Sequence, residues 1–441
     1  MKSNGVSLAA LGLSLICVAT IFCLESVSQQ SLVLTVWVLG IGALYQKFGI
    51  LHPLLWFPPF FLAYSISYPL FVTYYGYSDD LLLKLIPISA VALLGFLAGT
   101  CFVCKRASIG NRSIVPKKRL EERFHMPLLL WCLGVLAIVF MSGATSKREV
   151  LSYVETNSLI SLALNAFPFL IIITLSVILW SVPSTGYVSL VKNRTVALTI
   201  LVLFLAFGVL GERDLIFRFL LCCFLIVQSR KNSIRSVHVV AVVMAAFFIL
   251  PITQAAKSFF LNGDINATGI AMEELLGSEF ASASRNLHYI LGTQFKELNG
   301  VTYIWDVQRF FSFLFPDAQS TTSWFNNVVR GQYAEGGTSG WGFSLVAEAY
   351  VNFGLSGVFF QFLFIGLISI KVYTQCRRGV YRGLFYLLYI PTLIYCLRAD
   401  MANYLSLNLK QNMLLIICLV IAAAIHRSWF GQHPNRIVEQ K

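Results

Sequence analysis

The sequence predicts an all-α polytopic membrane protein with about twelve transmembrane helices, and three observations carry this reading. Hydrophobic residues make up 57% of the 441 positions and charged residues only 12%, which leaves too little polar surface to cover a soluble fold of this size. Apolar runs recur along the chain at close to the roughly 20 residues that a helix needs to cross a hydrocarbon core of about 30 Å. Lys and Arg collect in alternate connections, the pattern of a chain whose cytoplasmic loops are basic.

The spans are expected near 5–24, 31–46, 53–75, 83–104, 126–142, 158–181, 195–210, 214–228, 237–255, 349–372, 383–397 and 411–425, the tenth beginning earlier, around Phe343. This gives nine spans within 1–255, one long loop at 256–340, three spans within 341–425 and a tail at 426–441. With the N-terminus cytoplasmic, the basic residues from Lys105 to Arg123 lie inside, with Lys192 and Arg194, Arg230, Lys231 and Arg235, and Arg377, Arg378 and Arg382. The C-terminal tail from Arg427 to Lys441 is then also cytoplasmic, and the acidic 77–80 loop, YSDD, is external. The apolar start of the chain lacks a small-residue cleavage site and reads as the first span.

The +13 net charge comes from these loop clusters and not from a basic reading helix, so no nucleic-acid partner is expected. None of the ten cysteines falls in the 256–340 loop, so no disulfide framework is implied. Cys101 and Cys104 form a CxxC with no second pair, and neither a metal nor another cofactor is expected.

A loop of about 85 residues is far longer than a simple connection and is usually functional. This one is rich in aromatics. WDVQRFFSFLFP at 305–316 reads as an amphipathic helix on the membrane surface. Its aromatic cluster at 310–315 reads as interfacial anchoring, whereas Trp324, Tyr333 and Trp341 are equally suited to anchoring or to stacking on sugar rings. Cations gather on the same external side: Arg213 and Arg218 in GERDLIFRF, Lys257 at the end of span nine, Arg330 in the loop, and Arg398 beside Asp400 in RADMANY. This opposes the charge trend of the other loops. Arginine presents a planar fork that matches phosphate oxygens, so the cluster suggests an anionic headgroup or a diphosphate. Snorkelling to ordinary phospholipid is the alternative for any one of them. His288 is the only external histidine, either a surface residue or an imidazole base.

The stretch GGTSGWGFSLVAEAYVNFGLSG at 336–357 places a carboxylate at the head of a membrane helix. Ser344, Glu348, Asn352 and Ser356 recur every four residues and therefore share one helical face. An intramembrane carboxylate is costly and normally faces a bundle interior or a wet cavity. Two readings of Glu348 stand side by side: a functional acid, or the partner of an arginine such as Arg213 or Arg398.

With this glycine-rich stretch following a long external loop, the GERDLIF turn and the twelve-span layout, the chain resembles the Wzy-type O-antigen polymerases. The resemblance implies a membrane glycosyltransferase, GT-C-like in architecture, in the bacterial inner membrane with its active site facing the periplasm. Its donor and acceptor would both be undecaprenyl-diphosphate-linked oligosaccharides, and transfer would be to the non-reducing end of the acceptor. Membrane lipids, and a chain-length regulator protein, are the other expected partners. On this reading Glu348 is the candidate base, with Glu335 and His288 in reserve. Arg213, Arg218, Arg330, Arg398 and Lys257 would hold the diphosphate. Ser344, Asn352, Tyr350, Trp341, Trp324 and Tyr333 would meet sugar. A lipid-linked oligosaccharide flippase or other transporter, and an O-antigen ligase using the same kind of donor, are the competing functions.

Overall fold

The computed structural model describes residues 2–77, 79–103, 280–293, 297–311, 314–315, 317–329, 342–376 and 380–430, with scattered residues between 134 and 225. Every regular element among the described residues is helical. In chain order the α-helices are α1 (Lys2–Cys23), α2 (Val27–Tyr45), α3 (Pro53–Tyr74), α4 (Leu82–Val103), α5 (Ala281–Gly292), α6 (Val301–Phe310), α7 (Thr321–Trp324), α8 (Leu345–Gln375), α9 (Val380–Cys396) and α10 (Met401–Phe430), with a 3₁₀ turn, Gln46–Phe48, after α2. A π-helical turn, Phe325–Val329, continues α7.

Helices α1 to α4 and α8 to α10 coincide with the first four and last three predicted spans. The predicted spans at 126–142, 158–181, 195–210, 214–228 and 237–255 fall largely outside the described residues. Among the described residues, five stretches, Val6–Cys23, Val27–Phe48, Pro53–Tyr74, Leu82–Phe102 and Leu345–Gln375, are long and apolar enough to cross a membrane. The chain is on this ground a membrane protein.

Two compact units divide the chain. One comprises Met1–Arg112, Gln228–Arg377 and Ile390–Leu407, and the other Ser113–Val227, Arg378–Tyr389 and Asn408–Lys441. In the second unit Cys222 lies 3.7 Å from the Leu387 carbonyl, and Arg218 is buried.

The first unit is organised by α4 and α8, its most extensively packed pair. The reason is a small-residue seam. Gly95 and Gly99, four apart on α4, lie against the Phe359 and Leu363 carbonyls of α8, and Gly366 of α8 lies against the Phe96 carbonyl of α4. A Cβ at any of the three would overlap backbone. Such GxxxG spacing lets membrane helices approach closely where lipid offers no hydrophobic drive for association. Phe57 and Phe61 of α3 close the core against Phe96 and Phe362.

Helix α8 is not regular. Its phase breaks at Phe353 (φ −145°, ψ 24°) and Gly354 (φ 57°, ψ −146°), the latter a conformation almost restricted to glycine. A break in a spanning helix frees backbone groups that lipid cannot satisfy. Here the Val351 carbonyl, which Leu355 would engage in a regular helix, accepts from the Leu298 N–H at 3.0 Å. The 297–300 turn is thus docked on the break. The four-residue polar stripe ends there too: Ser344, Glu348 and Asn352 are buried, but Ser356 is exposed.

The amphipathic segment begins earlier than the sequence suggested, with α6 at Val301. It turns its polar side inward. Thr302 and Asp306, four apart, are buried, whereas Val301, Ile304, Val307, Phe311, Leu314 and Phe315 are exposed.

Candidate functional site: a buried carboxyl network at the break in α8

The head of α8 is pinned before the helix begins. Gly342 (φ 70°) places its Cα where a Cβ would come 2.6 Å from the Arg398 carbonyl. That same carbonyl accepts from the Phe343 N–H at 3.1 Å. Asn286 of α5 donates to the Phe343 carbonyl at 3.3 Å. Ser344 is then the N-cap, its hydroxyl accepting from the Ala347 N–H. Glycine is required here for a positive φ and a close backbone approach.

One turn on, Glu348 is 0% exposed. Its Oε1 accepts from Thr302 at 3.1 Å and from Thr321 at 3.4 Å. Its Oε2 accepts from the Met401 N–H at 2.7 Å. Thr321 also bonds Asp306 Oδ1 at 3.2 Å, so one hydroxyl stands between two carboxyl groups. Asn352 bridges the layers: its Nδ2 donates to Thr302 Oγ1 at 2.6 Å and to the Glu348 carbonyl at 2.8 Å, and its Oδ1 accepts from the Gly300 N–H at 3.0 Å. The third acid, Asp400, is also fully buried. Its Oδ1 accepts from the Asn403 N–H and Nδ2, and its Oδ2 from Thr322 at 2.6 Å.

The logic of the site lies in the N-terminus of α10. The first N–H groups of a helix lack intrahelical acceptors and carry partial positive charge. Asp400 satisfies the third of them as an N-cap, and Glu348 satisfies the first from another helix. Among the described residues, two buried carboxyl groups are thus held by a helix end and by threonines. Of the two arginines offered as partners of Glu348, Arg398 stacks over Tyr395 and Arg213 lies outside the described residues. Asp306 is 2% exposed. Burial pushes its carboxyl up to about 6, the Asp400 charge acts in the same direction, and hydrogen bonds with Glu348, Thr321 and the Ala402 N–H oppose them.

Beside the network runs an apolar groove of about 470 Å³, lined by Tyr303, Phe353, Phe360, Gln361, Phe364 and Met401. Tyr303 donates to Gln361 Oε1 at the groove wall. Burial, followed by the charge of Glu348, raises the Tyr303 hydroxyl above its usual range, so it stays a hydrogen-bond donor.

His288 belongs to a different place. Its Nε2 lies 3.0 Å from Asp79 Oδ2 and its Nδ1 3.3 Å from the Tyr68 hydroxyl. Both ring nitrogens are therefore engaged. Hydrogen bonding by the Leu81 N–H, then by His288, holds the Asp79 carboxyl below its ordinary value.

Of the other sequence-selected residues, Trp324 is buried and Tyr350 is half-buried. Arg398 is half-buried, with its guanidinium 5.0 Å over the Tyr395 ring. Arg213, Lys257, Arg330, Tyr333, Glu335 and Trp341 lie outside the described residues. Asp306, Thr302, Thr321 and Asp400 were not selected as site residues from sequence. The i, i+4 spacing of Thr302 and Asp306, opposite the aromatic face of the same segment, was the available signal, and so was Asp400 three residues before Asn403.

No protein-family model, no curated protein and no solved structure matches the chain.

Proposed function

We propose that the chain is a polysaccharide polymerase of the bacterial inner membrane, built on twelve spans with both termini cytoplasmic and 256–340 in the periplasm. It would transfer a glycan from a polyprenyl diphosphate to the non-reducing end of another lipid-linked repeat unit. The observation that carries the reading is Glu348: a carboxylate at a broken, membrane-length helix, held by side chains from the long loop. In the reaction the acceptor hydroxyl attacks the anomeric carbon, the bond to the diphosphate oxygen breaks, and the hydroxyl proton passes to a carboxylate. Glu348 with Asp306 is the accepting pair, and Thr302 and Thr321 orient it. Thr302 and Asp306 of α6 and Thr321 of α7 cover Glu348, so the two short helices are part of the accepting site itself. The apolar groove beside it suits a polyprenyl chain. Arg213, Arg218, Arg330 and Arg398 are the candidates to stabilise the diphosphate leaving group.

The break in α8 also favours a second reading, because discontinuous helices build the binding sites of many transporters. A lipid-linked oligosaccharide flippase would use the same features. The surface-polysaccharide banding pattern of a deletion strain separates the readings. Loss of the ladder with one repeat retained supports the polymerase. Loss of every repeat points to the flippase or to a ligase, and an unchanged ladder removes all three. At normal protein level, Arg213→Lys is expected to be impaired and Arg213→Ala more so, since lysine keeps the charge but not the fork.

A further inference from the structure

A further concave site of the first unit lies at the end of α3, lined by residues outside the carboxyl network. It is a cleft of about 570 Å³ walled by Tyr68, Phe71, Tyr75 and Tyr77, with Asp79 and His288 on its polar side. We propose that this cleft is a carbohydrate subsite that holds one or two sugar rings of the glycan. The inference rests on the glycan-handling reading above for its ligand class, and it assigns a binding role to residues with no part in the proton transfer.

The chemistry of the cleft selects among ligands. Several aromatic faces in one concavity offer stacking surface to the C–H face of a pyranose, at little conformational cost because each ring has only two side-chain torsions. The polar groups are arranged to meet hydroxyls. With its proton on Nε2, His288 donates to Asp79 Oδ2 and accepts from Tyr68 on Nδ1. Asp79 Oδ1 accepts from the Leu81 N–H, which fixes the carboxylate while leaving it 44% exposed at the rim. With its proton given to His288, the Tyr68 oxygen is an acceptor beside a fixed, exposed carboxylate, and both can accept from sugar hydroxyls. At the rim Asp79 and Asp80 oppose a phosphate, against the Lys84 and Arg285 cations that act on Asp79 and Tyr68. An acyl chain would strip water from Asp79 and His288 without replacing their hydrogen bonds. A neutral polyol satisfies both halves of the cleft. The volume of about 570 Å³ falls within that of small-ligand sites, which run from about 300 to 1,000 Å³.

The rival explanation is an interfacial aromatic belt, in which these tyrosines anchor the protein at the headgroup level. The test uses the full chain in lipid nanodiscs. The probe is the oligosaccharide released by mild acid from the polyprenyl-diphosphate lipid fraction of the host. Saturation-transfer NMR and a titration are recorded for the wild type, Tyr75→Ala, Asp79→Asn, and the exposed Leu8→Ala and Phe102→Ala outside either site. Binding in the wild type, weakened about tenfold or more by Tyr75→Ala and by Asp79→Asn and unchanged in the other two, is the expected result. No binding in the wild type, or equal binding in every variant, overturns the subsite and leaves the belt. The deletion ladder fails separately. Cleft binding with an unchanged ladder removes the polymerase and keeps the subsite, whereas ladder loss without cleft binding does the reverse.

Discussion

The Glu348 carboxylate accepts a 2.7 Å hydrogen bond from the Met401 amide, 53 residues further along the chain, and so closes the N-terminus of α10 from within α8. A glutamine at this position can keep its oxygen toward Met401 and turn its amide toward Thr302, Thr321 and Asp306, whose hydroxyls and carboxylate can accept. Glu348→Gln is therefore expected to fold and to melt near the wild type, while polymer synthesis falls about 10²–10⁴-fold, the range for loss of a general base. Glu348→Ala leaves buried donors unmatched and is expected to lower stability by about 1–3 kcal/mol. Purified protein in detergent gives both readouts. A stable Glu348→Gln that still synthesises polymer normally removes Glu348 from the chemistry.

The raised Asp306 carboxyl predicts a pH dependence with a definite sign. Its value is about 6 in the folded protein against an ordinary 3.8, so between these the folded state holds the extra proton. Stability contributed by this group is then fully present below about pH 4 and declines as pH rises through about 6. Asp306→Asn keeps the neutral shape and is expected to flatten this part of the melting profile. An identical slope in Asp306→Asn and wild type between pH 4 and 7 would count against a proton on this carboxyl.

At the break in α8, Gly354→Ala forces a side chain into a backbone conformation that costs on the order of 1–3 kcal/mol. The expected result is a lower melting temperature, together with loosened docking of the 297–300 turn, read as faster hydrogen exchange at the Leu298 amide. Unchanged exchange at Leu298 would show that the turn does not depend on the break.

The α4–α8 seam predicts a sharper packing penalty. Gly99→Leu drives a side chain into the Leu363 backbone and is expected to cost about 1–3 kcal/mol or to abolish accumulation. Gly12→Ala on α1, with nothing within 4 Å of the added Cβ, serves as the control and is expected to melt at or slightly above the wild type.

Topology is tested in a background lacking the native cysteines. A cysteine at position 314, where Leu314 is exposed, is expected to react with a membrane-impermeant reagent in intact cells, and one at position 115 is not. The reverse pattern would place the long loop in the cytoplasm and end the periplasmic mechanism.

Much of the first unit was legible in the sequence because membrane helices are written locally. Apolar length alone located α1 to α4 and α8, and four-residue spacing alone put Ser344, Glu348 and Asn352 on one face. The same spacing failed at Ser356, because a helical stripe assumes unbroken phase and Gly354 interrupts it. GxxxG at Gly95 and Gly99 was open to the eye but carries meaning only once its partner helix is known.

What the sequence by itself determined was the membrane class, the approximate edges of its apolar helices and the costly placement of one glutamate. It could not say what makes that glutamate tolerable. An arginine partner was one of its two readings, since a buried charge calls for an opposite one. Among the described residues the fold supplies two threonines, a second carboxyl from α6 and the free amide end of α10. Helix-end amides and hydroxyls have no charge signature in a sequence, and residues 302, 321, 348 and 401 meet only when the chain folds. Periodicity is a property of neighbours along the chain, whereas the balance of a buried carboxyl network is decided by groups brought together from four separate helices.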